Sequence, residues 1–87
     1  MPRVELLGLA RHYAGVPEVV VSGTTLGEVL LQLGRACPGF ASRCSTGKKL
    51  PTGLIACLNE RQFTGDESQP VSDSDRILIL SADVGGA

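Results

Sequence analysis

The feature that most constrains the fold of this chain is an amphipathic helix, predicted over Leu26–Ala36. Thr25 and Glu28 form a T-x-x-E capping box, in which each side chain satisfies a backbone N–H that the first helical turn leaves free. Pro38 ends the helix, because proline disfavours helical angles at the residue before it. Five apolar residues share one helical face: Leu26, Val29, Leu30, Leu33 and Cys37. A lone helix with one apolar face must bury that face against a sheet.

Four predicted strands supply that sheet. Residues 4–9 and 18–21 are apolar or β-branched runs on either side of a turn at residues 11–15, and they predict a β-hairpin. Two later apolar runs, residues 54–59 and 76–81, predict strands that follow turn-rich loops. The β-β-α-β-β order predicts an α+β fold, in which a mixed sheet of four to five strands packs on one main helix. The last strand is expected beside the first.

Composition excludes several classes of protein. The 87 residues are 43% hydrophobic and 20% charged, which favours one small globular domain over a disordered chain. A net charge of −1 and a 3% aromatic content argue against a nucleic-acid partner. No apolar segment is long enough to cross a membrane, and the opening residues do not resemble a signal sequence. Because the three cysteines have no C-x-x-C spacing, we expect reduced thiols, no metal site and a cytoplasmic location.

The C-terminus, Ala82-Asp83-Val84-Gly85-Gly86-Ala87, has the sequence of a tail rather than of a core element. We assign residues 1–82 to the folded domain and residues 83–87 to a flexible tail. Gly85 and Gly86 have no Cβ, so they can pass through a narrow channel and adopt backbone angles closed to other residues. Such a tail suits entry into the active site of another protein, although the last residues of a domain are also often simply disordered.

In element order, length and C-terminal pattern, the chain resembles the ubiquitin-like β-grasp sulfur carriers of the MoaD/ThiS family. The similarity spans nearly the whole chain, and residues 73–86 carry it best, with a turn and an apolar strand that run into Gly-Gly. The resemblance implies a β-grasp fold and a protein cosubstrate, not an enzyme. An E1-like adenylyltransferase would use ATP to adenylate the carboxylate of Gly86, and a sulfur donor would then replace AMP to leave a thiocarboxylate. A biosynthetic enzyme would accept that sulfur, and the carrier itself would bind no cofactor.

Ala87 departs from the family pattern, in which carriers normally end at Gly-Gly. The family includes carriers made with extra C-terminal residues that a JAMM-type zinc peptidase removes, so we expect cleavage of Ala87 before Gly86 is activated. Two other functions stay open: a ubiquitin-like modifier conjugated through Gly86 to target lysines, and a β-grasp binding module with a passive tail. The sequence does not select among the sulfur-containing products that a carrier could serve.

Strand parity predicts a partner-binding surface. If Glu5 and Arg76 face solvent, one outer face of the sheet holds four leucines: Leu7, Leu9, Leu78 and Leu80. An exposed apolar patch on a small domain commonly marks a partner site. A bulge in a strand or a covering loop would remove the patch, and the sequence does not decide between these cases.

No pair of side chains has the pattern of a catalytic site. His12 is expected at the surface near a turn, and Cys37 and Cys57 are expected in the core. Cys44 falls in the long loop predicted for residues 38–53, where it is either an ordinary loop residue or an exposed, reactive thiol. Gly47-Lys48-Lys49 lacks the upstream glycine and the following hydroxyl residue of a phosphate-binding loop.

Overall fold

The computed structural model describes residues 1–44 and 49–81, which form a five-stranded mixed sheet and three helical segments. The strand order is β2-β1-β5-β3-β4. The predicted tail residues Gly85, Gly86 and Ala87 lie outside the described residues. In chain order the elements are β1 (Arg3–Leu6), α1 (Leu9–Ala14), β2 (Glu18–Val20), α2 (Leu26–Ala36), α3 (Pro38–Ala41), β3 (Leu54–Leu58), β4 (Gln62–Thr64) and β5 (Arg76–Ser81).

The last strand, β5, is the centre of the sheet. It pairs parallel with β1 on one side and antiparallel with β3 on the other. The predicted α+β fold, with the last strand beside the first, is therefore confirmed. β2 and β4 form the two edges, and each has only three residues. Short edge strands offer little template for pairing with another sheet.

The helix α2 covers the inner face of this sheet. It spans Leu26–Ala36 as predicted, and the Thr25 hydroxyl accepts a hydrogen bond from the N–H of Glu28 at 3.2 Å. The carboxylate of Glu28 accepts bonds from the N–H and the hydroxyl of Thr24, at 2.9 and 3.0 Å, one residue earlier than the predicted box requires. Helix and sheet share one core, whose fully buried side chains include Val4, Leu6, Leu26, Val29, Leu30, Leu33, Phe40, Ile77 and Ile79.

The connection between the first two strands, predicted as a turn, is a short helix instead. β1 ends at Leu6, and α1 begins at Leu9. Gly8 between them has a φ of 56°, a conformation that favours glycine and ends the strand. Gly15 caps the other end of α1 with left-handed angles. Because Ala10 is fully buried, burial against the core holds this helix in place.

Two further elements lie in stretches predicted as loops. α3 is one helical turn inside the predicted loop at residues 38–53, and its Phe40 is fully buried. β4 lies in the polar stretch before the final strand, where Phe63 pairs with Cys57 of β3. The sheet thus reaches five strands, the upper end of the predicted number. In the described part of the chain, no helix is long and apolar enough to cross a membrane.

Candidate partner-binding face and tail exit

The two faces of β5 are both apolar but differ in burial. Ile77 and Ile79 point into the core and are fully buried. Leu78 and Leu80 alternate with them, point to the opposite, outer side of the sheet and are only half-buried. Arg76 has the parity of these leucines and is exposed, so the orientation predicted from strand parity is confirmed for β5.

Neighbouring strands continue this surface on both sides of β5. The register places Ile55 beside Leu80, Cys57 beside Leu78, and Phe63 beside Cys57. On the other side, the N–H of Leu7 donates to the Ile79 carbonyl at 3.0 Å, which carries the alternation one residue past β1. Leu7 and Phe63 are 48% and 63% exposed. We call this surface the outer apolar face; it consists of Leu7, Ile55, Cys57, Phe63, Leu78 and Leu80.

Sequence reasoning placed one residue on this face wrongly and missed three others. Leu9 is exposed, but it opens α1, so strand parity does not apply to it. Phe63 was missed because its three-residue strand was not predicted. Cys57, expected in the core, lies on the outer side, where its neighbours leave it 6% exposed. Cys57 shares the strand parity of Ile55, which could have placed it on the outer side. Because every residue of β3 is apolar, the sequence did not show which parity faces outward.

An ion pair borders the outer apolar face near the start of β5. The guanidinium Nη2 of Arg76 donates to the Glu5 carboxylate at 2.6 Å. This hydrogen bond and the negative charge of Glu5 raise the pKa of Arg76. The depression beside the pair, next to Cys57, has a volume of about 10 Å³. That is room for roughly one water, whereas small-molecule sites measure about 300 to 1,000 Å³, so this face suits a protein surface better than a small ligand.

The tail leaves the sheet from its central strand. β5 ends at Ser81, which pairs with Leu54 at the start of β3. Gly86 follows Ser81 by five residues. Since an extended residue spans at most about 3.6 Å, Gly86 lies within about 18 Å of Ser81.

The remaining candidate side chains take ordinary structural places. Cys37 lies in the core as predicted, and the Sγ of Cys44 contacts the Phe40 carbonyl at 3.5 Å. Burial raises the pKa of both thiols, which disfavours the nucleophilic thiolate. This favours the interpretation of Cys44 as an ordinary residue. His12 is exposed on α1, with its ring 6.3 Å from that of Tyr13.

Comparison with known proteins gives matches to solved structures. No protein-family model and no curated protein matches the sequence. The CysO chain of the BexX/CysO complex from Amycolatopsis orientalis matches with a TM-score of 0.78 and 23% identity, covering 99% of this chain and 100% of that one. Small archaeal modifier protein 1 from Methanosarcina acetivorans gives 0.73 and 28%, covering 98% and 95%. Urm1 from Sulfolobus solfataricus gives 0.65 and 21%, covering 92% and 99%.

These matches define the class of protein. A five-stranded mixed sheet on one main helix, superimposable over nearly the whole length of these neighbours, is the ubiquitin-like β-grasp fold. The matched structures are those of small ubiquitin-like carrier or modifier proteins. The chain is thus similar to the ubiquitin-like sulfur carriers of the MoaD/ThiS type, the resemblance already visible in its sequence.

Proposed function

We propose that this chain is a sulfur carrier protein whose Gly86 becomes a thiocarboxylate and donates sulfur in the biosynthesis of a cofactor or thio-metabolite. One observation carries the proposal. β5 provides Leu78 and Leu80 of the outer apolar face and continues through Ser81 toward the Gly-Gly tail. A partner docked on that face therefore receives the tail from the same strand. The likeness to carrier and modifier proteins supports this assignment.

The chemistry needs only a carboxylate from this chain, because partner enzymes supply the catalysis. An E1-like adenylyltransferase positions the Gly86 carboxylate to attack the α-phosphate of ATP, which releases pyrophosphate and forms an acyl adenylate. A sulfide donor then attacks the carbonyl carbon, and the bond to AMP breaks. With a persulfide donor, a thiol must afterwards reduce the new sulfur–sulfur bond to free the thiocarboxylate. A second enzyme transfers this sulfur to the product.

Activation at Gly86 requires its own carboxylate to be free. In this sequence Ala87 follows Gly86, and its methyl group would occupy a site shaped for glycine. We therefore include in the proposal a cleavage of the Gly86–Ala87 bond before adenylation. A JAMM-type zinc peptidase is the class of enzyme that the family resemblance implies for this step.

Intact-mass measurement of the protein isolated from its native organism tests the proposal. We expect one form that ends at Gly86 and a second that is heavier by one oxygen-for-sulfur exchange. A variant that lacks residues 85–87 is the control and must show neither form. Retention of Ala87 in every molecule, without any sulfur exchange, would remove the carrier function.

A second candidate is conjugation to other proteins, since three matched structures are of small archaeal modifier protein 1, two from Haloferax volcanii and one from Methanosarcina acetivorans. The activation step would be the same, but a lysine amine would attack Gly86 and form an isopeptide bond. Immunoblots identify conjugation, because isopeptide conjugates resist acid and thiols whereas thiols cleave thioesters. If deletion of residues 85–87 changes neither growth nor metabolite levels, both functions are contradicted and a binding module with a passive tail is the remaining interpretation.

A further inference from the structure

In the described chain the acidic residues concentrate toward one end of the sheet, where Arg3, Arg61 and Arg76 also lie. β5 begins at this end: Asp73 and Asp75 precede that strand, and Glu60 follows β3 at the same end. By contrast, the sequence contains no Asp or Glu in residues 6–17 or 29–59. Those two stretches contain the whole of α1 and α3 and most of α2.

Four cationic residues lie toward the opposite end, where β5 finishes. The hydrogen bond from Leu7 to Ile79 brings the start of α1 to the end of β5, and the pairing of Leu54 with Ser81 brings the loop before β3 to the same place. The guanidinium of Arg43 lies 4.7 Å from the Tyr13 ring centroid, which joins the segment after α3 to α1. Gly34 of α2 lies against Ala41 of α3, which brings Arg35 to the same segment. We call this region the cationic end; it consists of Arg11, Arg35, Arg43 and Lys49.

The four charged side chains of the cationic end are exposed. Two ion pairs between side chains, Arg3 with Glu18 and Arg76 with Glu5, lie on the sheet away from this end. Exposed cations on one part of a surface repel a second cationic surface and attract an anionic one. The cationic end therefore favours an anionic surface.

We propose that the cationic end binds an acidic surface around the entrance of the adenylation site that receives the tail. This inference rests on the proposed function. Because five residues separate Gly86 from Ser81, the chain length keeps the reacting carboxylate within about 18 Å of the end of β5, and the cationic end is the charged surface at that end. A positive surface that meets a negative rim speeds encounter and orients the tail toward the entrance.

Nucleic acid is the other anionic partner to consider, and the structure favours it less. The chain carries a net charge of −1. Tyr13, the aromatic ring nearest the cationic end, is half-buried and has Arg43 over its face, so it does not offer an open platform for a base.

Steady-state pyrophosphate release by the E1-like adenylyltransferase of the same organism, with chain ending at Gly86 as substrate, tests the inference. Arg11→Glu and Lys49→Glu should each lower kcat/KM by roughly tenfold at low ionic strength while kcat stays unchanged. The loss should shrink as ionic strength rises from about 0.01 to about 0.1 M, where the Debye length falls from about 30 to about 10 Å. Arg61→Glu is the matched control: it makes the same charge change on an exposed arginine at the opposite end of the sheet.

The outcomes separate this inference from the proposed function. If the wild-type chain is never adenylated, the proposed function fails and the inference falls with it. If the wild type is adenylated but Arg11→Glu and Lys49→Glu behave like Arg61→Glu, only the inference is overturned. It is also overturned if the wild type binds total tRNA in a gel-shift assay and Arg11→Glu abolishes that binding without changing kcat/KM. Thermal unfolding of each variant verifies that the fold is intact.

Discussion

The inner and outer faces of β5 are both lined by aliphatic side chains, but they differ in burial. Ile77 and Ile79 on the inner face are fully buried beneath α2, whereas Leu78 and Leu80 on the outer face stay half-buried. The inner pair removes apolar surface from water within this chain, which stabilises the fold. The outer pair stays partly in contact with water in the isolated domain, so it provides only part of this stabilisation. The proposed docking of a partner on this face would supply the rest, so hydrophobicity alone does not distinguish a core residue from one that faces outward.

The largest expected difference between the two faces is in stability. Ile79→Ala removes a fully buried side chain and leaves a cavity, so we expect it to lower the free energy of unfolding by about 3 kcal/mol. Leu78→Ala, the matched change on the outer face, should cost about 1 kcal/mol or less, because part of that side chain already contacts water. Urea denaturation measures both values. Equal losses would mean that the outer face is covered in solution.

A charge placed on the outer apolar face should act on binding more than on folding. Leu80→Arg should raise the dissociation constant for the adenylyltransferase by about tenfold or more, equivalent to about 1.4 kcal/mol, while stability changes by less than about 1 kcal/mol. Calorimetric titration measures the binding. Val20→Arg makes a similar apolar-to-charged change at an exposed position of the edge strand β2, beside Arg3 and away from the cationic end, and its affinity should stay within about twofold of wild type. A Leu80→Arg chain that fails to fold would place that residue in the core and contradict the docking face.

Much of the fold could be predicted because its main elements have sharp local boundaries. Thr25 and Pro38 fix the two ends of α2, and a tight turn precedes Arg76 at the start of β5. The short elements could not be predicted in this way. α1 is six residues, too few to establish a helical period, and the burial of Ala10 is a tertiary effect. The three residues of β4 form a strand because β3 pairs with them.

The candidate site was predictable only along β5. Arg76 at the start of β5 is charged and so predicts which parity faces solvent. Leu78 and Leu80 share that parity, so the sequence predicted their outward direction. In β3 the apolar run is unbroken, so Cys57 could be assigned to either face. The cationic end was not predictable, because Arg11 and Lys49 are distant in sequence and reach the same end of the sheet only through the pairing of β1 and β3 with β5.

A smaller effect is the pH dependence of stability that comes from Asp75, the residue just before β5. Asp75 accepts hydrogen bonds from the Ser72 N–H at 2.8 Å and from the Asn59 amide at 2.9 Å, and these bonds lower the pKa of its carboxyl. Because the folded pKa is the lower one, the stabilisation is complete above the unfolded value of about 3.9 and is lost as pH falls through the folded value. The stability gap between wild type and Asp75→Asn should therefore be constant at neutral pH and narrow below about pH 4. The measurement is the free energy of unfolding of both proteins from pH 7 to pH 2. A difference between them that stays constant over this whole range would contradict this account.

The smallest expected effect is that of the ion pair on the border of the outer apolar face. The side chains of Arg76 and Glu5 are 53% and 34% exposed, so water screens most of their attraction despite the 2.6 Å contact. A double-mutant cycle with Arg76→Met and Glu5→Gln should give a coupling no larger than the error of urea denaturation. A clearly resolved favourable coupling would show that the ion pair stabilises the sheet. A weak coupling means that the outer face can exchange these contacts for a partner's at little cost, as a docking surface must.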